Sequence, residues 1–360
     1  MKRMLLVLVG ALLLAACGGT APASQPGSAS AGGADLSSWE KDTYQAALKE
    51  GKVVVYGFWN PVLEKIFTEF MAARYPGVQL ETLTSPTATE KLRTEAQSGQ
   101  RIGDVYIGGA TSGLTLNQLG LSEQFDPPAE KEGDARYVIP PSSSTSFPQV
   151  VYTLQGKGIL INTQKVPVNK EPKTWQDLLD PFWAGKKLVI DHPARGSGSG
   201  PSWARWVSEQ PDLGRPFLEG LMKEEVVLAT SAATTSINAV ARGEYYGYVP
   251  PFPSSLQETR GAPVKFLWLG PKTHGVANNV VLIKQAPHPN AARLFINMTL
   301  LSGFQEALTK GAWQTPVRLG VSLPDPIVSF EGHNVYVDNE QDLKRTLDFA
   351  GSVAKEIFGQ

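Results

Sequence analysis

From residue 52 onward the hydrophobic period of the chain switches at short intervals, and this alternation restricts the fold more than any other feature. Lys52–Gly57 (KVVVYG) is a compact β-branched run of the kind that makes a strand buried on both faces. Pro61–Arg74 then sets Val62, Ile66, Phe67, Phe70 and Met71 on one helical face. Pro76-Gly77 stops that helix, and residues 78–83 predict a second strand. Thr87 opens a helix through Leu92 and Ala96 that Ser98-Gly99 ends. Residues 104–107 make a third strand before a helix near 114–119. Strand and helix in strict alternation imply a mostly parallel sheet covered by helices on both faces.

The pattern breaks into Pro and Ser at 140–148 and then resumes. Strands are expected at 150–154, 158–162, 188–190, 226–229 and 247–249. Helices are expected from 172, at 201–208 and at 236–242. Near 264–268 the chain crosses again, giving a strand at 280–283 and a helix over 289–301. A chain of 360 residues exceeds one ordinary core. The economical reading is two α/β lobes joined by at least two crossing segments. Residues 37–145 with 270–318 form lobe one, 146–269 form lobe two, and 319–360 form a C-terminal segment packed on a lobe. No internal repeat is visible.

The first residues read as a targeting segment. Lys2 and Arg3 precede a short apolar stretch over 5–14, then Ala15, Ala16 and Cys17. That stretch is too short to span a bilayer comfortably, which favours a cleaved signal. Leu14-Ala15-Ala16-Cys17 resembles the bacterial lipobox, which implies acylation of Cys17 after removal of the preceding residues. Residues 18–36 are rich in Gly, Ala, Ser and Pro and read as a flexible tether. The expected location is extracytoplasmic, with a lipid anchor at the cell membrane.

Several phrases resemble the periplasmic solute-binding proteins of ferric-iron, polyamine and small-anion ABC importers. They are Tyr75-Pro76-Gly77-Val78 and Asp104-Val105-Tyr106-Ile107-Gly108-Gly109, followed by Gly158 to Asn162 and the stretch Pro172-Lys173-Thr174-Trp175 to Leu179. Trp183-Ala184-Gly185-Lys186, Gly243-Glu244, Gly261-Ala262-Pro263-Val264 and His288-Pro289-Asn290-Ala291-Ala292 continue the series in order. The resemblance implies a two-lobed type II periplasmic-binding-protein fold with a hinge and an interlobe cleft. It also implies a monomer that closes on a small solute and docks on membrane permease subunits.

In open α/β sheets ligands bind beyond the carboxyl ends of the strands. That rule selects Trp59 and Asn60 after the first strand, Ser85 after the second, and Gly109, Ala110, Thr111 and Ser112 after the third. In lobe two it selects Arg195, Ser197, Gly198 and Ser199, then Thr230 and Ser231, then Tyr248 and Phe252. Tyr152 near the hinge joins them. Glycine amides, serine hydroxyls, a following helix start and Arg195 suit an anion. A small organic anion is therefore the expected solute: a carboxylate, phosphonate or phosphorylated compound.

The alternative is ferric iron, for which Tyr246 and Tyr248 are the available phenols; Tyr245-Tyr246 follows Gly243-Glu244 directly, and the later loop carries no phenol. A polyamine is disfavoured, because Asp191 is the only acid close to these loops. A sensor lipoprotein would use the same trap without transport. A hydrolase at Ser197 lacks a Gly-x-Ser-x-Gly elbow, and no His-Glu-x-x-His motif exists. Four histidines and one cysteine supply no evident metal or redox cluster, so neither metal nor cofactor is expected, and no enzyme activity. A net charge of −1 without a basic block excludes nucleic acid.

Overall fold

The computed structural model describes residues 36–57, 59–85, 87–131, 148–195, 199–318 and 320–359. The signal, Cys17 and almost all of the tether lie outside them. The described chain begins with α1 (Ser38–Glu50). Its start is a capping box: Ser37 accepts from the Glu40 N–H, and the Glu40 carboxylate accepts from the Ser37 N–H. Glu40 is buried and also takes Arg74 and the Tyr75 hydroxyl, which fixes α1 to the next helix.

The alternation then unfolds as β1 (Lys52–Gly57), α2 (Pro61–Arg74), β2 (Gln79–Thr84), α3 (Ala88–Ser98), β3 (Val105–Gly109) and α4 (Ala110–Gln118). A short β4 (Ser122–Glu123) and a long β5 (Val150–Gly156) follow. β1 runs parallel to β2 and β3, the pairing that strands joined through crossover helices adopt. The chain crosses at Lys157 into a second sheet made of β6 (Ile159–Asn162), β7 (Leu188–Asp191), β8 (Val227–Ala229), β9 (Gly247–Val249) and β10 (Val264–Leu267), in the order β10-β6-β9-β7-β8. Its helices are α5 (Ser199–Ser208), α6 (Gly214–Lys223), α7 (Ala233–Ala241) and the short α8 (Ser255–Glu258).

A second crossing returns the chain to the first sheet as β11 (Lys272–Ile283), which lies between β3 and β5 and is antiparallel to both. Helices α9 (Pro289–Met298) and α10 (Ser302–Ala312) and the strands β12 (Thr315–Pro316) and β13 (Asn334–Val337) follow, then α11 (Glu340–Gly351) and α12 (Val353–Phe358). The first sheet has eight strands, with the main order β12-β5-β11-β3-β1-β2. Among the described residues no helix is long and apolar enough to cross a membrane.

Each sheet has its own core. In the first, Phe67 of α2 stacks on Phe295 at 5.4 Å and meets Phe304 edge-on at 4.7 Å. In the second, Trp175, Trp203 and Trp206 pack together under β6 and β7.

Two expectations change. β5 was assigned to lobe two from residue 146, but it is hydrogen-bonded between β11 and β12 in the first sheet, so the crossing moves to Lys157. Residues 319–360 do not pack on a single lobe. β13 pairs with β11 in the first sheet, while Phe349, Ala354 and Phe358 are buried in the second core. Leu343 of α11 also packs against Ala110 and Leu114 of α4, so the tail spans both lobes.

Candidate functional site

A cavity of about 290 Å³ opens between the two sheets. From lobe one it takes Asn60, Gly108, Gly109, Tyr152, Gln155 and Asn278; from lobe two, Ser199, Thr234, Tyr248, Phe252, Ser254 and Glu258. Its volume suits a small metabolite.

Local sequence explains why these residues arrive there. β1, β3 and β7 point their carboxyl ends toward it, and each is followed by a turn into a helix. Asn60 caps α2, its side chain accepting from the Leu63 N–H at 2.9 Å. Gly109 and Ala232 are the N-caps of α4 and α7, and neither helix start has a side-chain cap. The positive ends of those two helices therefore reach the cavity wall from opposite lobes without a side-chain acceptor. Gly200 permits a third close approach: a Cβ there would lie 2.8 Å from the Asp191 carbonyl oxygen, so only glycine seats α5 against the end of β7.

The lobes touch across the cavity through Ser254, whose hydroxyl donates to Gln155 Oε1 at 2.9 Å. Tyr248 donates its hydroxyl to Asp191 at 2.8 Å. Burial raises Asp191 to about 6, partly offset by the Tyr248 bond and by Lys157. Burial also raises the Tyr152 and Tyr248 phenols, so both stay protonated donors near neutrality. Among the described lining residues Glu258 is the only one with a formal charge. Its side chain keeps access to solvent, yet the surrounding walls hold the carboxyl above its usual range. Gln314, also in the wall, is 5% exposed and its carbonyl oxygen has no protein partner.

Six expected residues line the cavity: Asn60, Gly109, Tyr152, Ser199, Tyr248 and Phe252. Others lie nearby with different partners. Trp59 packs on the first core, edge-on to Phe67 at 5.1 Å, with its indole N–H on the Val55 carbonyl. Ser85 is buried and accepts from the Thr87 N–H. Ala110 and Thr111 are buried in the first turn of α4, and Ser112 follows them in the same turn without lining the cavity. Thr230 and Ser231 are exposed just before the lining residues Ala233 and Thr234. Arg195 is exposed and turns its guanidinium to the Ser231 carbonyl at 3.3 Å rather than into the cavity. Ser197 and Gly198 lie outside the described residues. Gln155, Asn278, Gln314, Ser254 and Glu258 carry no motif in the sequence: the first two lie inside strands, Gln314 and Ser254 in connections, and Glu258 at the end of the short α8.

The model of the bacterial extracellular solute-binding protein family matches residues 65–331. The chain belongs to this family. An uncharacterized protein of Haemophilus influenzae is 24% identical over 277 residues, covering 74% of this chain and 77% of that one. Among solved structures, the periplasmic binding protein AfuA of Actinobacillus pleuropneumoniae, with exogenous fructose-6-phosphate bound, superposes with a TM-score of 0.71. It is 18% identical, over 86% of this chain and 98% of AfuA. Iron-bound HitA of Pseudomonas aeruginosa gives 0.66 at 17% identity, over 85% and 99%. This solute-binding protein thus has the two-lobed fold of periplasmic binding proteins, and its family is one of extracellular proteins that bind a solute.

Proposed function

We propose that this solute-binding protein captures a small organic anion, a carboxylate, phosphonate or phosphorylated compound that also carries hydroxyl groups. The observation that carries the reading is the pair of helix starts, α4 from one lobe and α7 from the other, ending at one cavity without side-chain caps. Backbone N–H groups and helix dipoles favour an anion there. Contact with both helix starts is made only when the lobes are together, which gives an anion the differential affinity that closure requires. Glu258 and the unpartnered Gln314 carbonyl oxygen supply acceptors for hydroxyl groups of the same solute. Tyr246, needed for the ferric alternative, packs against Phe182 and lies near the Lys187 ammonium; it does not line the cavity.

Thermal-shift screening against phosphorylated sugars, hydroxycarboxylates, the matching neutral sugars and Fe(III)-citrate tests this directly. Stabilisation by the anions and not by their neutral counterparts is expected. A shift with iron alone overturns it. Anchoring through Cys17 is the companion proposal: Cys17→Ser releases the protein from the membrane fraction if it is correct.

A further inference from the structure

Lys157 sits at the first crossing between the lobes and is 0% exposed. Its backbone is pinned on both sides, the N–H to the His274 carbonyl at 2.8 Å and the carbonyl to the Thr273 hydroxyl. The backbone beside it is closely packed: a Cβ on Gly158 would lie 2.3 Å from the Leu267 carbonyl oxygen at the end of β10. The side chain reaches into lobe two. Its ammonium donates to the Ser199 carbonyl at 2.8 Å and to the Ser202 hydroxyl at 2.7 Å, both in the first turn of α5.

The placement is electrostatically odd. A cation beneath a helix start faces the positive end of the dipole. Both of its bonded oxygens are neutral, and none of the ion pairs formed among the described residues includes it. The charged groups packed around it are committed elsewhere. Asp338, after β13, holds Arg205 and His274, and Asp191, at the end of β7, holds the Tyr248 hydroxyl. Arg205, further along α5, adds repulsion. An apolar side chain would fill this space with no desolvation cost. The position does have one outlet: Ser199, whose carbonyl accepts the hydrogen bond from the ammonium, is itself in the cavity wall.

We propose that Lys157 is the anion-selecting cation of this site, charging the start of α5 from beneath and gaining its proton when an anionic solute enters. The inference rests on the anion reading above. Lys157 touches no solute; it acts through the Ser199 peptide and the local field, and is a positioning residue. Burial draws its ammonium down to about 7, against the pull of Asp338 and Asp191 and with the push of Arg205, so both protonation states are accessible near neutrality. An anion in the cavity favours the charged state, and by linkage the charged state favours the anion.

The test is calorimetric titration of the full protein with fructose 6-phosphate, glycerol 3-phosphate and citrate at pH 7 and pH 9. The upper range avoids the second phosphate ionisation near about 6. The wild type is expected to bind about tenfold more weakly at pH 9 and to take up a fractional proton, read from two buffers of different ionisation enthalpy. Lys157→Met is expected to bind about tenfold more weakly at pH 7 and to lose the pH dependence; Lys157→Arg keeps affinity at pH 9. The two-buffer measurement on the wild type stands if a variant fails to fold. Wild-type binding with no proton uptake, or Lys157→Met binding like the wild type, overturns the role of Lys157 alone. Binding of fructose but of none of the three anions overturns the anion reading, and this inference with it.

Discussion

Two buried cations lie along α5, and they are treated in opposite ways. Arg205, 1% exposed, is surrounded by acceptors: Asp338 and Asp342 from the C-terminal tail, Glu209 one turn on, and the Thr346 hydroxyl. Lys157, at the start of the same helix, has two neutral oxygens. The fold neutralises the first charge from within and leaves the second to be balanced by something that arrives. A buried ion is expensive unless its partner is present. The middle of α5 is therefore a structural junction, and its beginning is where solute is sensed.

The sharpest way to break this contrast is Arg205→Met. It takes the guanidinium away from buried Asp338 and Asp342, leaving the first with His274 and the second with the exposed Arg345, and a loss of about 3–5 kcal/mol in urea unfolding is expected. A loss below 1 kcal/mol would mean that the junction is not structural. Lys157→Met behaves otherwise. In the ligand-free wild type the folded state releases the lysine proton near about 7, whereas the unfolded chain holds it up to the ordinary 10.5. Unfolding between those limits takes up a proton, so stability rises with pH there, by up to about 1.4 kcal/mol per unit. The difference between wild type and Lys157→Met should carry that slope from pH 7 to pH 9. A flat difference would mean that Lys157 titrates normally. Tyr248→Phe removes the bond that holds Asp191 and is expected to cost about 1 kcal/mol. Asp191, already raised to about 6, should climb further, visible by carboxyl NMR. Arg215→Ala is the control, since this guanidinium is half-exposed beside Glu219 and Glu356. No resolvable change in the urea midpoint is expected, because solvent already screens that pair.

Much of the architecture was legible because period and punctuation are local. KVVVYG, the apolar stripe of α2 and the Pro76-Gly77 stop each act within a few residues, and β1, α2 and β2 fall where they predict. Sheet membership is not local. The stretch 150–154 reads as a strand, but only the bonding of β5 to β11, more than a hundred residues on, places it in the first lobe. The strand-end rule located Asn60, Gly109 and Ser199, because those residues begin helices. It also promoted Arg195, whose charge is conspicuous in the sequence but whose side chain turns to Ser231. Lys157 is inconspicuous in the sequence for the converse reason. Between two glycines it reads as part of a surface turn, and its burial arises only once α5 and β11 close around it.

The tail that straddles both lobes also orders events in time. Arg205 is made more than a hundred residues before Asp338, and β11 precedes the strand that pairs with its first half. While the chain emerges, the early part of each lobe can acquire its own apolar interior, but the guanidinium within α5 has only Glu209 as a counter-ion until residue 338 and the helix after it appear. The joint between the halves is thus among the last features to set, and a nascent molecule has two formed bodies before it has a working jaw.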